Sequence, residues 1–131
     1  MIEQPVRFVD RASMRLPKET EEQKAERREA ILAATRTATE VPLETARLCR
    51  EVMRGCLDAA GHGHPGAVTD AGVGLLTAYA GLIGALYNVE INLGGLDDGP
   101  QAPIAAEVAE LRAEADRLRQ EGDAIVRRRL T

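Results

Sequence analysis

Apolar residues recur at helical spacing along most of this chain and crowd together in one stretch. From Leu43 to Ala60, the positions Leu48 or Cys49, Val52, Met53, Cys56, Leu57 and Ala60 return at intervals of three and four, while Arg47, Arg50, Glu51, Arg54 and Asp58 fall outside that stripe. This pattern predicts an amphipathic helix with one buried stripe, and Gly61 is placed to end it as a C′ residue. Near the C-terminus, Ile104, Val108, Leu111, Ala115, Leu118 and Ile125 form a near-heptad seam. They predict a helix that starts at Pro103 and runs to about Arg129, with Gly122 as its weak spot. Arg127, Arg128 and Arg129 complement the negative end of its dipole.

Between these two helices lies the crowded stretch, Gly61 to Leu93. It opens on a turn rich in Gly, His and Pro, and Ala71 to Val89 then carries no formal charge. A helix from Thr69 or Asp70 to about Val89 is expected, with either residue able to cap it through a side-chain oxygen. Gly72, Gly74, Gly81 and Gly84 dilute its apolar character, and no Lys/Arg cluster flanks it, which argues against a membrane span. A helix apolar on every side belongs inside a bundle or at a subunit interface, and Gly74 with Ala78, and Gly81 with Ala85, would let neighbouring helices come close. Gly94 to Pro103 is expected to be a loop.

Upstream, Lys18 to about Thr39 is built mostly of strong helix formers, but its apolar stripe is thin: Ala30, Ile31, Ala34, Ala38. Such a helix is solvated or covered by something else. Pro42 is expected to break or kink the chain before the next helix, and residues 1–14 show no periodicity. These elements amount to an all-α, antiparallel bundle of about four long helices. The uncharged helix and the heptad-like helix both point to a homodimer.

Composition narrows the function classes. Phe8, Tyr79 and Tyr87 are the only aromatics among 131 residues, so the core must be aliphatic. A net charge of -4 gives no electrostatic footprint for nucleic acid. Cys49 and Cys56 lie seven apart, on one helical face but too distant for a disulfide with each other. The N-terminus has no apolar signal region, and a cytoplasmic protein without membrane attachment is expected.

No phosphate-binding loop, zinc signature, nucleophile elbow or dinucleotide fingerprint occurs. His62 and His64 have only Asp70 nearby as a third ligand, too few for a metal site. Asp70 has two readings. Near a buried helix entrance it could transfer protons, with burial raising its pKa and the helix N-terminus lowering it; alternatively, it is a cap. Asn88 and Asn92, four apart on one face, either bind a polar ligand or satisfy a neighbouring loop.

GHPGAVTDAGVG followed by ALYNVEINL resembles the cyclodeaminase/cyclohydrolase family, which includes the C-terminal domain of formiminotransferase-cyclodeaminase and the bacterial methenyltetrahydrofolate cyclohydrolases. Gly63, Thr69, Asp70, Val73 and Gly74 match the first half of its signature; Asn88, Val89, Ile91 and Asn92 match the second. RLPKETEEQKAER (15–27) and EVPLETA (40–46) resemble two further family segments. The resemblance covers residues 15–131. His64 stands where the family has Asn. Family members also carry helices and a Gly-rich segment before the first of these motifs, so the resemblance implies only the C-terminal part of the domain, with an N-terminal helical segment missing. It further implies a dimeric enzyme of folate one-carbon chemistry, either closing a formimidoyl-tetrahydrofolate with loss of ammonia or hydrating a methenyl-tetrahydrofolate. Asp70 is then the candidate acid/base. His64, Thr69, Asn88 and Asn92 are candidates to orient the substrate. Arg15 and Lys18 either meet the folate glutamate tail or are solvated charges at a helix start. No metal, and no cofactor beyond the folate substrate, is implied.

Overall fold

A computed structural model describes residues 19–131. Among them are three α-helices and one 3₁₀ turn: α1, Glu21–His62; the turn, Pro65–Ala67; α2, Val68–Leu93; and α3, Asp98–Leu130. No strand occurs among the described residues, and the all-α class expected from the sequence holds. The chain divides into two compact units, Met1–Ile31 and Leu32–Thr131.

In the first unit, α1 opens with a reciprocal capping pair. Thr20 Oγ1 accepts from the Gln23 N–H at 3.1 Å, and Gln23 Oε1 accepts from the Thr20 N–H at 2.9 Å. Two of the donors left free at a helix start are thereby satisfied.

Three long helices, rather than four, is the main correction to the sequence reading. Pro42 sits inside α1 without ending it. A proline in a helix interior removes the donor to the carbonyl four residues back, here that of Ala38. The side chain of Asn92 on α2 supplies a replacement, its Nδ2 lying 3.3 Å from Ala38 O. The other boundaries moved for similar reasons. Helix α1 runs past Gly61 to His62, so Gly63 takes the exit position, where a Cβ would stand 2.4 Å from Ala59 O. Helix α3 starts at Asp98 and carries Pro103 within it, which shortens the expected loop. Gln101 Nε2 then donates to Leu93 O at 2.8 Å, closing the end of α2.

In the second unit, α2 lies antiparallel to both α1 and α3, and α1 and α3 run parallel. On the α1 side, Gly74 faces Cys56 and Gly81 faces Cys49: a Cβ on either glycine would stand 2.9 Å and 3.2 Å, respectively, from the cysteine sulfur. Both thiols are free and half-buried. On the α3 side, Leu75 fills the space above Gly122, where a Cβ would meet Leu75 Cδ1 at 2.6 Å. The expected weak spot of the heptad seam is therefore the socket for a buried leucine. Met53, Leu82, Leu86, Val89, Leu111 and Ala115 complete the aliphatic core. Each fully buried large side chain contributes about 1.5–3 kcal/mol.

Two arginine–glutamate pairs join α1 to α3 at an offset of 60 residues. Arg47 makes a bidentate pair with Glu107, at 2.5 and 2.7 Å, and Arg54 pairs with Glu114 one heptad later. The Arg47 guanidinium holds the Glu107 carboxyl below its ordinary pKa, and Glu107 in turn raises that of Arg47. At the end of the bundle, Arg129 donates to Ala60 O at 2.6 Å and to Gly63 O at 3.0 Å. It thus does more than balance the dipole of its own helix: it ties α3 to the exit of α1.

Two predictions concern stability. Gly122→Ala should lower stability by about 1–3 kcal/mol through overpacking against Leu75. Gly55→Ala, with nothing within 4 Å of the new Cβ, should raise it by up to about 1 kcal/mol from helix propensity. Thermal melts of the two variants should therefore shift in opposite directions. The second prediction is pH-dependent. Because the folded-state pKa of Glu107 is depressed, its stabilising effect is complete above the unfolded value of about 4.3 and is lost as pH falls through the folded value. Glu107→Gln should cost about 0.5–1 kcal/mol at neutral pH. Denaturant titrations should show that deficit vanishing in acid; a constant deficit would rule out the ion pair as its source.

Candidate functional site

The residues singled out from the sequence fall at the two ends of α2. At its start, the loop from α1 turns on Gly63 and His64. His64 is the N-cap of the 3₁₀ turn, and its Nδ1 accepts from the Gly66 N–H at 3.0 Å. An Asn oxygen, as in the family motif, would accept the same bond. The other ring nitrogen points away from this contact on an exposed side chain. His62 pairs with Asp58 one turn back, at 3.2 Å. Among the described residues, no three His, Cys, Asp or Glu side chains are grouped to hold a metal ion.

Neither Thr69 nor Asp70 caps α2, contrary to expectation. The helix begins at Val68 after Ala67, with no side-chain cap. Both residues lie inside its first turn, where the Asp70 carboxylate meets the positive end of the helix dipole. Asp70 is exposed, so the burial expected at this entrance is absent in a single chain. Thr69 borders a pocket of about 220 Å³ between α2 and α3, lined also by Val73, Leu76, Arg119, Asp123 and Val126. Beside it, the Arg119 guanidinium lies 5.3 Å from the Tyr79 ring centre, and the Tyr79 hydroxyl donates to Asp116 at 2.7 Å. That bond to a carboxylate, and then burial, raise the Tyr79 pKa.

At the far end, Asn88 and Asn92 border an open groove of about 610 Å³ between α1 and α2, with Thr37, Val41, Pro42 and Thr45 on the opposite wall. Asn92 Nδ2 donates both to Ala38 O and, at 3.0 Å, to Asn88 O within its own helix. The choice between ligand and neighbouring backbone thus has a structural answer for the Asn92 nitrogen, which serves the carbonyl stranded by Pro42. The Asn88 side chain is exposed at the groove. The sequence reading missed Thr37 and Thr45. Their spacing with Val41, four and then four, puts all three on one face and was the available signal. Arg15 and Lys18 lie outside the described residues.

Asp70 and Asn88 are about 27 Å apart along the axis at 1.5 Å per residue, so the structure does not bring the two ends together within one chain. Eighteen residues are about five full turns, so both side chains leave α2 on the same side.

The model of the formiminotransferase-cyclodeaminase family matches residues 11–121. The chain belongs to the formiminotransferase-cyclodeaminase family. It is also 49% identical over 83 residues to a methenyltetrahydrofolate cyclohydrolase of Methylorubrum extorquens. That match takes in 63% of this chain and 40% of the relative's length. The family membership bears out the resemblance drawn from the signature residues.

The pairing of Pro42 with Asn92 is testable. Asn92→Ala should cost about 1 kcal/mol by leaving Ala38 O without its donor. In a Pro42→Ala background, residue 42 regains its N–H and the same substitution should cost much less. Denaturant unfolding of the four proteins would measure the coupling; equal costs in both backgrounds would disprove the pairing.

Proposed function

We propose that this chain is a cytoplasmic folate one-carbon enzyme acting as a homodimer, and that its reaction is the hydration of a 5,10-methenyl-tetrahydrofolate. The observation that carries this reading is the 49% identity to a methenyltetrahydrofolate cyclohydrolase, in a family match that covers both signature halves. Cyclodeamination of a formimidoyl-tetrahydrofolate uses the same tetrahedral chemistry and remains the companion activity of the family.

In the hydration, a water oxygen forms a bond to the methenyl carbon and loses a proton to a base. The carbon becomes a tetrahedral carbinol. As its bond to N5 breaks and N5 takes a proton, the new hydroxyl gives its remaining proton to solvent and becomes the formyl C=O, so 10-formyl-tetrahydrofolate leaves with one net proton released. One carboxylate can serve both steps, accepting from water and then donating to N5. Asp70 has that role in our reading, with His64, Thr69, Asn88 and Asn92 orienting the substrate and Arg15 and Lys18 meeting the anionic glutamate tail. Substrate, water and this proton relay balance the reaction without a further cofactor.

The separation of Asp70 from Asn88 is what argues for two copies. Val73, Leu76, Tyr87 and Ile91 are all more than half exposed and fall within about 60° of one another around α2. An apolar lane of this kind is suited to pairing with its own copy about a two-fold axis. With the axis near Ala80, Val73 of one copy meets Tyr87 of the other. Asp70 then arrives beside Asn88 of the second copy, and each site draws on both chains.

Absorbance of the methenyl substrate measures turnover directly. Asp70→Asn and Asn88→Ala should each lower it, the former by about 10²–10⁴-fold. Mixing the two inactive variants, unfolding them and refolding them together should restore about a quarter of the wild-type rate, since half of the sites in mixed dimers are intact. No recovery, with dimers present, would sink the shared site. Folate binding without turnover by the unaltered chain would leave a folate-binding remnant in place of an enzyme.

A further inference from the structure

We infer that the groove at Pro42 is a binding site for the pterin ring of the substrate, selected by hydrogen-bond acceptors on Thr37 and Thr45 that face an uncharged wall. This rests on the folate reading above and names the part of the substrate that the far end of α2 takes.

The groove exists because of local chemistry on both walls. On α1, Pro42 interrupts the hydrogen-bond ladder. On α2, Gly81 and Ala85 leave the opposite wall low. Its volume, about 610 Å³, lies within the range of about 300–1,000 Å³ in which small-molecule sites fall. None of its lining residues is charged.

The polar groups are biased toward acceptance. The Thr37 hydroxyl donates to Ala33 O at 3.3 Å and that of Thr45 to Val41 O at 3.1 Å. A hydroxyl has a single proton, so each is left with lone pairs to offer. Both Asn92 N–H bonds are directed at backbone carbonyls, leaving its Oδ1 as an acceptor. Asn88 adds an amide that can turn either way. A ligand matching this wall is flat and neutral, with N–H and amino donors along one edge. Within a tetrahydrofolate, the pterin ring has that edge, whereas the aminobenzoyl-glutamate end is anionic and would meet no cation here. The far end of α2 therefore takes the ring, leaving the one-carbon centre, which adjoins the ring, at the rim near Asn88.

The test is a titration of the isotope-labelled full chain with 6-methyl-tetrahydropterin, and separately with p-aminobenzoyl-glutamate, followed by amide resonances. The pterin should shift Thr37, Thr45 and the Asn88 side-chain signals, and the anionic fragment should leave them unmoved. Thr45→Val, which keeps shape and loses the acceptor, should weaken pterin binding about five- to tenfold; Thr45→Ser should restore it. Turnover of the methenyl substrate with a silent groove and an unaffected Thr45→Val variant would overturn this site and leave the enzyme reading intact. Pterin shifts in the groove without turnover would support the site and count against the enzyme. If neither fragment binds and no turnover occurs, both fall.

Discussion

The fold depends on a helix that has almost nothing polar to offer its neighbours. Helix α2 carries no charge from Ala71 to Val89, so it cannot be held by ion pairs over that length and must be held by close approach. The small residues make this feasible on the α1 side, where Gly74 and Gly81 admit the two cysteine sulfurs. On the α3 side the roles reverse, and Gly122 of α3 admits Leu75 of α2. Two charged pairs, Arg47–Glu107 and Arg54–Glu114, run between the two outer helices, and the α2 pair Glu90–Arg112 lies just past the uncharged stretch. The effect of the first two is to clamp α1 and α3 around α2 without touching its core. Ion pairs this exposed stabilise modestly, so the aliphatic contacts dominate.

Helix type and core composition were legible in the sequence because they rest on local periodicity. The α3 seam was read nearly as it packs: Val108, Leu111, Ala115 and Leu118 are all buried. The α1 stripe was read only in part. Met53 and Ala60 are buried, but Leu48 and Val52 are more than half exposed, because a helix stripe three residues wide does not say which edge its neighbours will cover. The helix count failed at Pro42 for a physical reason. A proline's cost in a helix depends on whether the stranded carbonyl finds another donor, and that donor sits 50 residues further along the chain, as the 54-residue separation of Ala38 and Asn92 illustrates.

The candidate site was legible as a set of residues but not as an arrangement. Thr69, Asp70, Asn88 and Asn92 are on one helix, and counting turns puts Asp70, Asn88 and Asn92 on one side, with Thr69 turned toward α3. That the two pairs stand too far apart to act on one small molecule within a single chain also follows from counting, once the helix is known to be unbroken. What could not be counted was the company each keeps. His64 turned out to hold its own turn together, Asn92 to repair another helix, and two threonines of α1 to face the asparagines.

The clamp between α1 and α3 repeats with the heptad, and this has a consequence for how the bundle finds its alignment. If α1 slid by seven residues along α3, Arg54 would come opposite Glu107, and an arginine would again meet a glutamate. The aliphatic seam has the same period but not the same sizes, since Ala46, Met53 and Ala60 fill buried positions one heptad apart. Charge pattern alone is therefore degenerate between registers, and the choice falls to side-chain volume and to features that occur once. The stranded carbonyl of Ala38 has one amide to meet, and the exit carbonyls of Ala60 and Gly63 have one arginine. These two contacts sit at opposite ends of the bundle. They act as a pair of end stops, and together they help distinguish the native alignment from its charge-equivalent neighbours.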